Sequence, residues 1–441
     1  MSILIRDAII VTMNPNRDIF RGDVLIEQDR ISRIGILDDY VADKVINAGG
    51  QVLLPGLIQS HVHLCQVLFR GMADDLELLD WLQQRIWPLE ASHDDESLYY
   101  SALLGCAELL CGGTTAIIDM ATVRHTESVF SAVKQAGIRY LGGKCLMDQG
   151  NLPATMLDSV DNALKESLIL FNNWNNYDNG RIRYALCPRF ALSCSENLLR
   201  ETALLSQQYE IPVHTHASEN RAEVELVEKE RGFRNVIYLN NMGLCNNRLT
   251  LAHCIHINND EIKILAESQT NIAHCPSANL KLGSGIAPIP SLLNWGAKVA
   301  LGADGAPCNN NLNMFMEMRL AALIQKPFYG PSSMPALTVV EMATLGGARA
   351  LGLEKEIGSL EEGKKADMIL INLDEWHCRP QNGAGIYAQL VYQAHASDVS
   401  ATIVNGRLLM ENGHLLTIDE DDIKLNAETS LQRVSQRAGL R

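Results

Sequence analysis

Between residues 54 and 304, eight short apolar runs alternate with stretches of helical length. A chain with that alternation has few ways to bury its strands. The strand candidates are 54–63, 115–120, 139–147, 181–189, 211–216, 249–255, 270–275 and 297–304. Apolar residues fill these runs instead of alternating with polar ones, as parallel strands require when helices cover them. Eight such units over about 300 residues match a (β/α)8 barrel in number and length. A doubly wound sheet is the competing arrangement, and it wants a glycine-rich phosphate turn after the first strand. The residues there are His61-Val62-His63 instead.

Both chain ends read as sheet. Ile3 to Met13 and Val24 to Gly35 are β-branched runs broken by Asn14-Pro15-Asn16 and Gln28-Asp29-Arg30. Similar residues return at 366–371 and from Val399 to Met410, where Asn405-Gly406 has hairpin-turn chemistry. The expected fold is therefore α/β. A TIM-like (β/α)8 catalytic barrel spans 54–364, a small β-sandwich is built from 1–53 plus 365–417, and a C-terminal helix covers 418–441. A length of 441 residues suits a large domain with a smaller one appended.

Composition narrows the class of function. A formal net charge of −15 offers nothing to a nucleic-acid backbone or an anionic membrane surface. No apolar run approaches the ~20 residues that span a bilayer. Met1-Ser2-Ile3-Leu4-Ile5-Arg6-Asp7 reads as a strand, without the basic segment of a signal peptide. Eleven cysteines, an odd number without a C-x-x-C pair, fit buried thiols in a reducing compartment. A cytoplasmic homo-oligomer acting on a small molecule, with neither nucleic acid nor membrane as partner, is expected.

The chemistry sits at strand ends. In Leu54-Pro55-Gly56-Leu57-Ile58-Gln59-Ser60-His61-Val62-His63, the two histidines are one residue apart and share a face of the strand. They close the first barrel strand, at the end where barrel enzymes place their chemistry. His214-Thr215-His216-Ala217-Ser218-Glu219 closes the fifth, His253 the sixth and Asp304 the eighth. An ion held by His61, His63, His216 and Asp304 would have nitrogen and oxygen ligands and one position open for water. Such an ion lowers the pKa of its water toward ~7. One Zn2+ is expected, with Fe2+ as the alternative. Asp304 is placed as general base, Glu219 as proton donor to a leaving or ring nitrogen, and His253 as a polarising group. His125-Thr126-Glu127 lacks a following P-C-x-x-C, so the cytidine-deaminase type of zinc site is absent. His256 and His274 read as support for strands six and seven, and Glu77 and Asp80 as a solvated helix face.

These residues resemble the metal-dependent amidohydrolase superfamily, over nearly the whole chain, including the passage Gly358–Asp367 that leads back into the sheet. By parity His214 shares a face with His216, and the resemblance gives the ligand role to His216. The His216-to-Glu219 spacing is similar to the deaminase branch, where that glutamate shuttles protons. Binuclear members carry a carboxylated lysine on strand four; Arg181–Pro188 holds no lysine, which implies one metal. Arg70–Leu76, Asn279–Gly283, Asp304-Gly305-Ala306 and Asn309–Asn313 resemble methylthioadenosine/S-adenosylhomocysteine deaminases. Gln66, Pro188–Glu196 and His216–Arg221 resemble guanine deaminases. Arg189 stands where the adenosine-type enzymes have histidine, and its donor fork suits a carbonyl or ring nitrogen. Gln66, Trp81, Arg189, Phe190 and Glu219 form the expected substrate wall, with Phe190 able to stack on a ring. The expected activity is hydrolytic deamination of an amino-substituted heterocycle, an aminopurine of guanine or adenosine type. An s-triazine or pterin aminohydrolase or chlorohydrolase is the enzymatic alternative, and an inactive barrel serving in assembly is the non-enzymatic one.

Overall fold

The structure is a computed structural model that describes residues 2–381, 383 and 385–440. Met1 of the expected first strand, Asn382 and Ala384 of the expected sheet domain, and Arg441 of the expected terminal helix lie outside the described residues. The chain opens with β1 (Ser2–Val11), β2 (Ile19–Glu27), β3 (Arg30–Gly35), β4 (Lys44–Asn47) and β5 (Val52–Pro55). Next come β6 (Leu57–His63), β7 (Thr114–Met120), β8 (Arg139–Gly143), β9 (Cys145–Leu146), β10 (Ile182–Tyr184) and β11 (Cys187–Pro188). They are followed by β12 (Val213–Ala217), β13 (Leu249–His253), β14 (Asn271–His274), β15 (Lys298–Leu301) and β16 (Asp304–Gly305). Strands β17 (Met368–Ile371), β18 (Val399–Val404), β19 (Arg407–Glu411) and β20 (His414–Leu415) return to the sheet.

All eight expected apolar runs contain strand, and the first, third, fourth and eighth are each split between two. Strands β16, β6, β7, β8 and β10 pair in that order, all parallel, as do β12 through β15. β9 pairs with β11, and a parallel bridge from Leu186 to Val213 ties the fourth run to the fifth. The eighth run breaks at Gly302, where a Cβ would lie 2.8 Å from the backbone nitrogen of His61. Only glycine lets Asp304 come this close to β6. Several intervening helices start on side-chain caps; Asp94 and Ser97, for example, form a reciprocal box at the head of helix Asp95–Cys111.

Among the described residues, nine strands from both chain ends share one mixed sheet, ordered β20-β19-β18-β17-β5-β1-β2-β3 with β4 on β1. β5 and β17 are the antiparallel seam where the two ends meet. Ile3, Ile5, Ile10, Val24, Leu53, Met368, Leu370 and Ile403 form its core. Asn405 and Gly406 take the positive φ values, 52° and 73°, that their hairpin turn requires. Helix Glu420–Ala438 begins on an Asp419 cap and lays Ile423, Ala427 and Val434 inward. Its Arg433 reaches Glu96 at 2.7 Å, fastening it over helix Asp95–Cys111.

One buried ion pair joins sheet to parallel strands. Arg139, first residue of β8, meets Asp367 with Nε–Oδ2 at 2.6 Å and Nη2–Oδ1 at 2.8 Å. Asp367 Oδ1 also accepts the backbone N–H of Asn405 at 2.7 Å. Removing one partner strands the other charge in the interior. Asp367→Ala should therefore lower unfolding stability by about 3–5 kcal/mol, measured by urea denaturation, with the Arg139→Met/Asp367→Leu pair recovering part of the loss. A loss below about 1 kcal/mol, the size of a surface pair, would show that this contact is not structural.

Candidate metal centre and active site

Strands β6, β12, β13 and β16 point four histidines and an aspartate at one another. His63 Nε2 and His216 Nε2 are 3.2 Å apart. Asp304 Oδ1 lies 3.2 Å from His61 Nε2 and 3.5 Å from His63 Nε2, and its Oδ2 lies 3.8 Å from His253 Nε2. His61, His63 and His216 form one potential ligand triad, and His61, His253 and Asp304 another.

The far side of each ring fixes which nitrogen carries the proton. His63 Nδ1 faces the Met120 carbonyl at 2.9 Å, and His216 Nδ1 the Arg189 carbonyl at 2.7 Å. Both must donate there, so both Nε2 lone pairs face inward. His61 is set by a relay. His214 Nδ1 donates to the Thr250 carbonyl at 3.1 Å, leaving His214 Nε2 to accept from His61 Nδ1 at 2.7 Å. His61 Nε2 is then a buried acceptor, and no hydrogen-bond donor reaches it among the described residues. Inward lone pairs at 3.2 Å repel unless a cation lies between them, so this donor set fits a divalent metal ion. The parity that left His214 and His216 open is resolved: His216 faces the cage and His214 backs His61.

Burial lowers the pKa of His63 and His253 to about 4, with the neighbouring His61 adding to the shift. His216 and His214 fall well below the ordinary value for the same reasons. Neutral imidazole is the form that ligates. Burial acts to raise Asp304, but His61, His253 and His63 outweigh it and hold the carboxyl well below the usual range. Glu219 goes the other way. Burial, then the charges of Asp304 and Glu223, push it well above the carboxylate norm. Glu219 Oε2 sits 3.5 Å from His253 Nε2, and its backbone N–H donates to Glu223 Oε2 at 2.7 Å. Ser218, His253 and Asp304 all have positive φ, at 55°, 74° and 66°. Such strain, about 1–3 kcal/mol per residue, is characteristic of functional turns and here swings these side chains into one mouth.

A narrow cavity of about 30 Å3 opens on this cage. Gln66, Trp81, Arg189, Phe190 and Glu219 all line it. Trp81 ends a short helix, Leu78–Trp81, that runs into a π-turn over 82–86. Arg189 is differently committed from the sequence reading, which offered its fork to substrate. Nη1 meets Glu90 Oε2 at 2.7 Å and Nη2 meets Glu90 Oε1 at 3.2 Å. Gln66 Nε2 donates to the same Oε1 at 2.6 Å. A guanidinium in this interior needs a counter-charge, and Glu90 supplies it. Glu90, His214 as relay, Asn279 (which meets His253 Nδ1 at 2.9 Å) and Glu223 are the site residues sequence reasoning missed. For Glu90 the one available signal was that a buried arginine requires an acid somewhere. Away from the site, His125 pairs with Asp95 at 2.9 Å and His256 with the Ser284 carbonyl at 2.7 Å. His274 is buried with neither ring nitrogen partnered among the described residues, and Glu77 and Asp80 are exposed.

Residues 52–409 match the amidohydrolase family model. The chain is 40% identical over 426 residues to the 5-methylthioadenosine/S-adenosylhomocysteine deaminase of Moorella thermoacetica, covering 96% of this chain and 97% of that one. It is 37% identical over 437 residues to a 5'-deoxyadenosine deaminase of Methanobrevibacter smithii, covering 99% and 98%. It is similar in structure to a Xanthomonas campestris adenosine deaminase with bound zinc, at TM-score 0.92, 30% identity and 98% coverage of both chains.

The relay makes a specific demand. His214→Phe keeps the ring volume but removes the acceptor for His61 Nδ1, so divalent-metal affinity should fall about 10–100-fold. Competition with a chelator measures it. Unchanged affinity would show that His61 needs no outside partner.

Proposed function

The chain belongs to the amidohydrolase family, and on that premise we propose that it is a zinc-dependent aminohydrolase deaminating an adenosine-type nucleoside. The observation that carries this reading is the convergence of His253, Glu219 and Asp304 on the inward lone pairs of His61, His63 and His216. His61, His63, His216 and Asp304 would hold a single ion. When bound, that ion supplies an acidic water usable as a nucleophile at neutral pH. Asp304 Oδ2 would hold the proton given up by the attacking water and release it to the departing amine. Glu219 donates to the ring nitrogen beside the attacked carbon, raising its electrophilicity. His253, whose Nδ1–H donates to Asn279 Oδ1, turns an Nε2 lone pair toward the cage and accepts a hydrogen bond from the attacking water. Trp81, Phe190, Leu78 and Leu82 give the ring an apolar slot.

Relatives named for adenosine nucleosides, at 37–40% identity over nearly the full chain, support the adenosine-type substrate. So does the Glu90 pairing, which occupies the Arg189 fork that suited an oxopurine. The same reading takes the parallel ladders as a closed (β/α)8 barrel over 54–364, with 418–441 as its covering helix. It takes the nine-stranded sheet of 1–53 and 365–417 as a small β-sandwich around its shared core. Eleven free cysteines support a cytoplasmic location. Among the described residues, no helix is long and apolar enough to cross a membrane. Ile36 and Val41, 82% and 91% exposed, support a homo-oligomer.

Ammonia release from methylthioadenosine, 5'-deoxyadenosine, adenosine and guanine tests the substrate. The adenosine nucleosides should give the higher kcat/KM; guanine ahead of all three would restore the oxopurine reading. Glu219→Gln keeps the shape but delivers no proton, and turnover should drop about 10²–10⁴-fold with metal content retained. Near-native turnover in that variant would remove Glu219 from the chemistry.

A further inference from the structure

A second cluster of ligating side chains lies outside the catalytic cage, on the connection from β17 to β18. Two short 3₁₀ helices, Trp376–Cys378 and Ala396–Asp398, meet there. His377 Nε2 lies 2.8 Å from Asp398 Oδ2, and the backbone N–H of His395 donates to the same oxygen at 2.7 Å. The rings of His377 and His395 stack with centroids 4.2 Å apart and planes 16° from parallel. One ligand atom each from His377, Cys378 and Asp398 lies within 4.8 Å of the others. We propose that His377, Cys378 and Asp398 form a second metal site, for a borderline divalent ion such as Zn2+, that clips the two ends of this connection together.

The donor set decides the ion. One thiolate, one imidazole and one carboxylate select borderline transition metals over Mg2+ or Ca2+, which take oxygen. Three protein ligands leave one tetrahedral position for water. Bond lengths of about 2.0–2.3 Å place ligand atoms roughly 3–4 Å apart, so the cluster needs only a small closure. His377 can provide it, since 34% of its side chain is exposed, whereas Asp398 and Cys378 are buried and held. Stacking on His395 keeps the His377 ring in plane. An open cavity bordered by Asn313, Arg319, Tyr392 and both histidines gives an ion access.

Binding conserves charge and atoms without redox chemistry. The Cys378 S–H bond breaks, its proton leaves to solvent, and sulfur bonds the ion. His377 gives up its hydrogen bond to Asp398, its Nε2 proton is lost to solvent while Nδ1 takes one up, and it bonds through Nε2, while Asp398 bonds through a carboxylate oxygen. Burial, with Asp398 and Glu375, raises the Cys378 thiol, so the metal-free site holds that proton. The product is a cross-link closing the loop of residues 377–398, which stabilises chiefly by restricting the opened chain.

The test uses the full-length enzyme with its catalytic site loaded, dialysed against micromolar Zn2+ and analysed for metal. The parent should hold one ion more per chain than Cys378→Ser or His377→Ala, with deaminase turnover equal in all three. Replacing Zn2+ by Co2+ should give a thiolate charge-transfer band in the near ultraviolet, absent from Cys378→Ser. Equal metal content in parent and both variants overturns the proposal, as does an additional ion without the thiolate band. Neither readout depends on the catalytic reading, so each fails independently of it.

Discussion

His63 Nε2 and His216 Nε2 face each other at 3.2 Å in a dry interior, with no proton to place between them. That contact is repulsive as it stands, and the rest of the active site follows from sustaining it. Each ring is locked from behind by an acceptor, at Met120, Arg189 or, through His214, Thr250. Those acceptors lie on neighbouring parallel strands, so the pairing of β6, β7, β12 and β13 is what orients the lone pairs. A barrel-like arrangement supplies such neighbours on both sides of each strand, where a sheet edge would not.

The same interior sorts its carboxylates by neighbours. Asp304, Glu219 and Glu223 are all buried, and burial pushes each toward the neutral form. Asp304 escapes because three histidines surround it. Glu219 does not, because its nearest charges are the carboxylates Asp304 and Glu223. An ionised acid and a protonated one therefore both stand beside His253 Nε2, at 3.8 and 3.5 Å, a division of roles that acid–base catalysis needs. Glu90 is a third case: Arg189 more than offsets burial and keeps it ionised within the wall.

The fold was legible because its signals are local. Each apolar run declared a strand, His61 and His63 declared a shared face by period two, and Asn405-Gly406 declared its turn. The histidines and aspartate of the cage were legible as a cluster because all sit at strand ends. Partners joined through space were not. Nothing in Trp87-Pro88-Leu89-Glu90 announces a counter-ion for an arginine 99 residues later. Nor does Asp367 announce the buried guanidinium of Arg139, a contact across 228 residues. The positive φ of His253 and Asp304 also ran against sequence reasoning, because neither residue has glycine's freedom; tertiary packing imposes the strain. His214 was half legible, since its face could be assigned but not its direction of hydrogen bonding.

Two ligand triads can be drawn in the cage, and both contain His61. A second ion would need its own bridging anion, and strand four offers none: β10 and β11 carry Ile182, Arg183, Tyr184, Cys187 and Pro188. The buried lysine on the neighbouring run, Lys144, is already engaged. Its Nζ meets Glu166 at 2.8 Å and Asp158 at 3.2 Å, and donates to the Val123 carbonyl. A lysine engaged by two carboxylates outside the cage is not placed to supply a bridging carbamate. The two triads thus describe one site, with His61 Nε2 at its centre and Asp304 Oδ1 shared between His61 and His63. One divalent ion would set two positive charges against the one carboxylate kept ionised, and a second ion would leave a larger excess in a cavity built from neutral imidazoles.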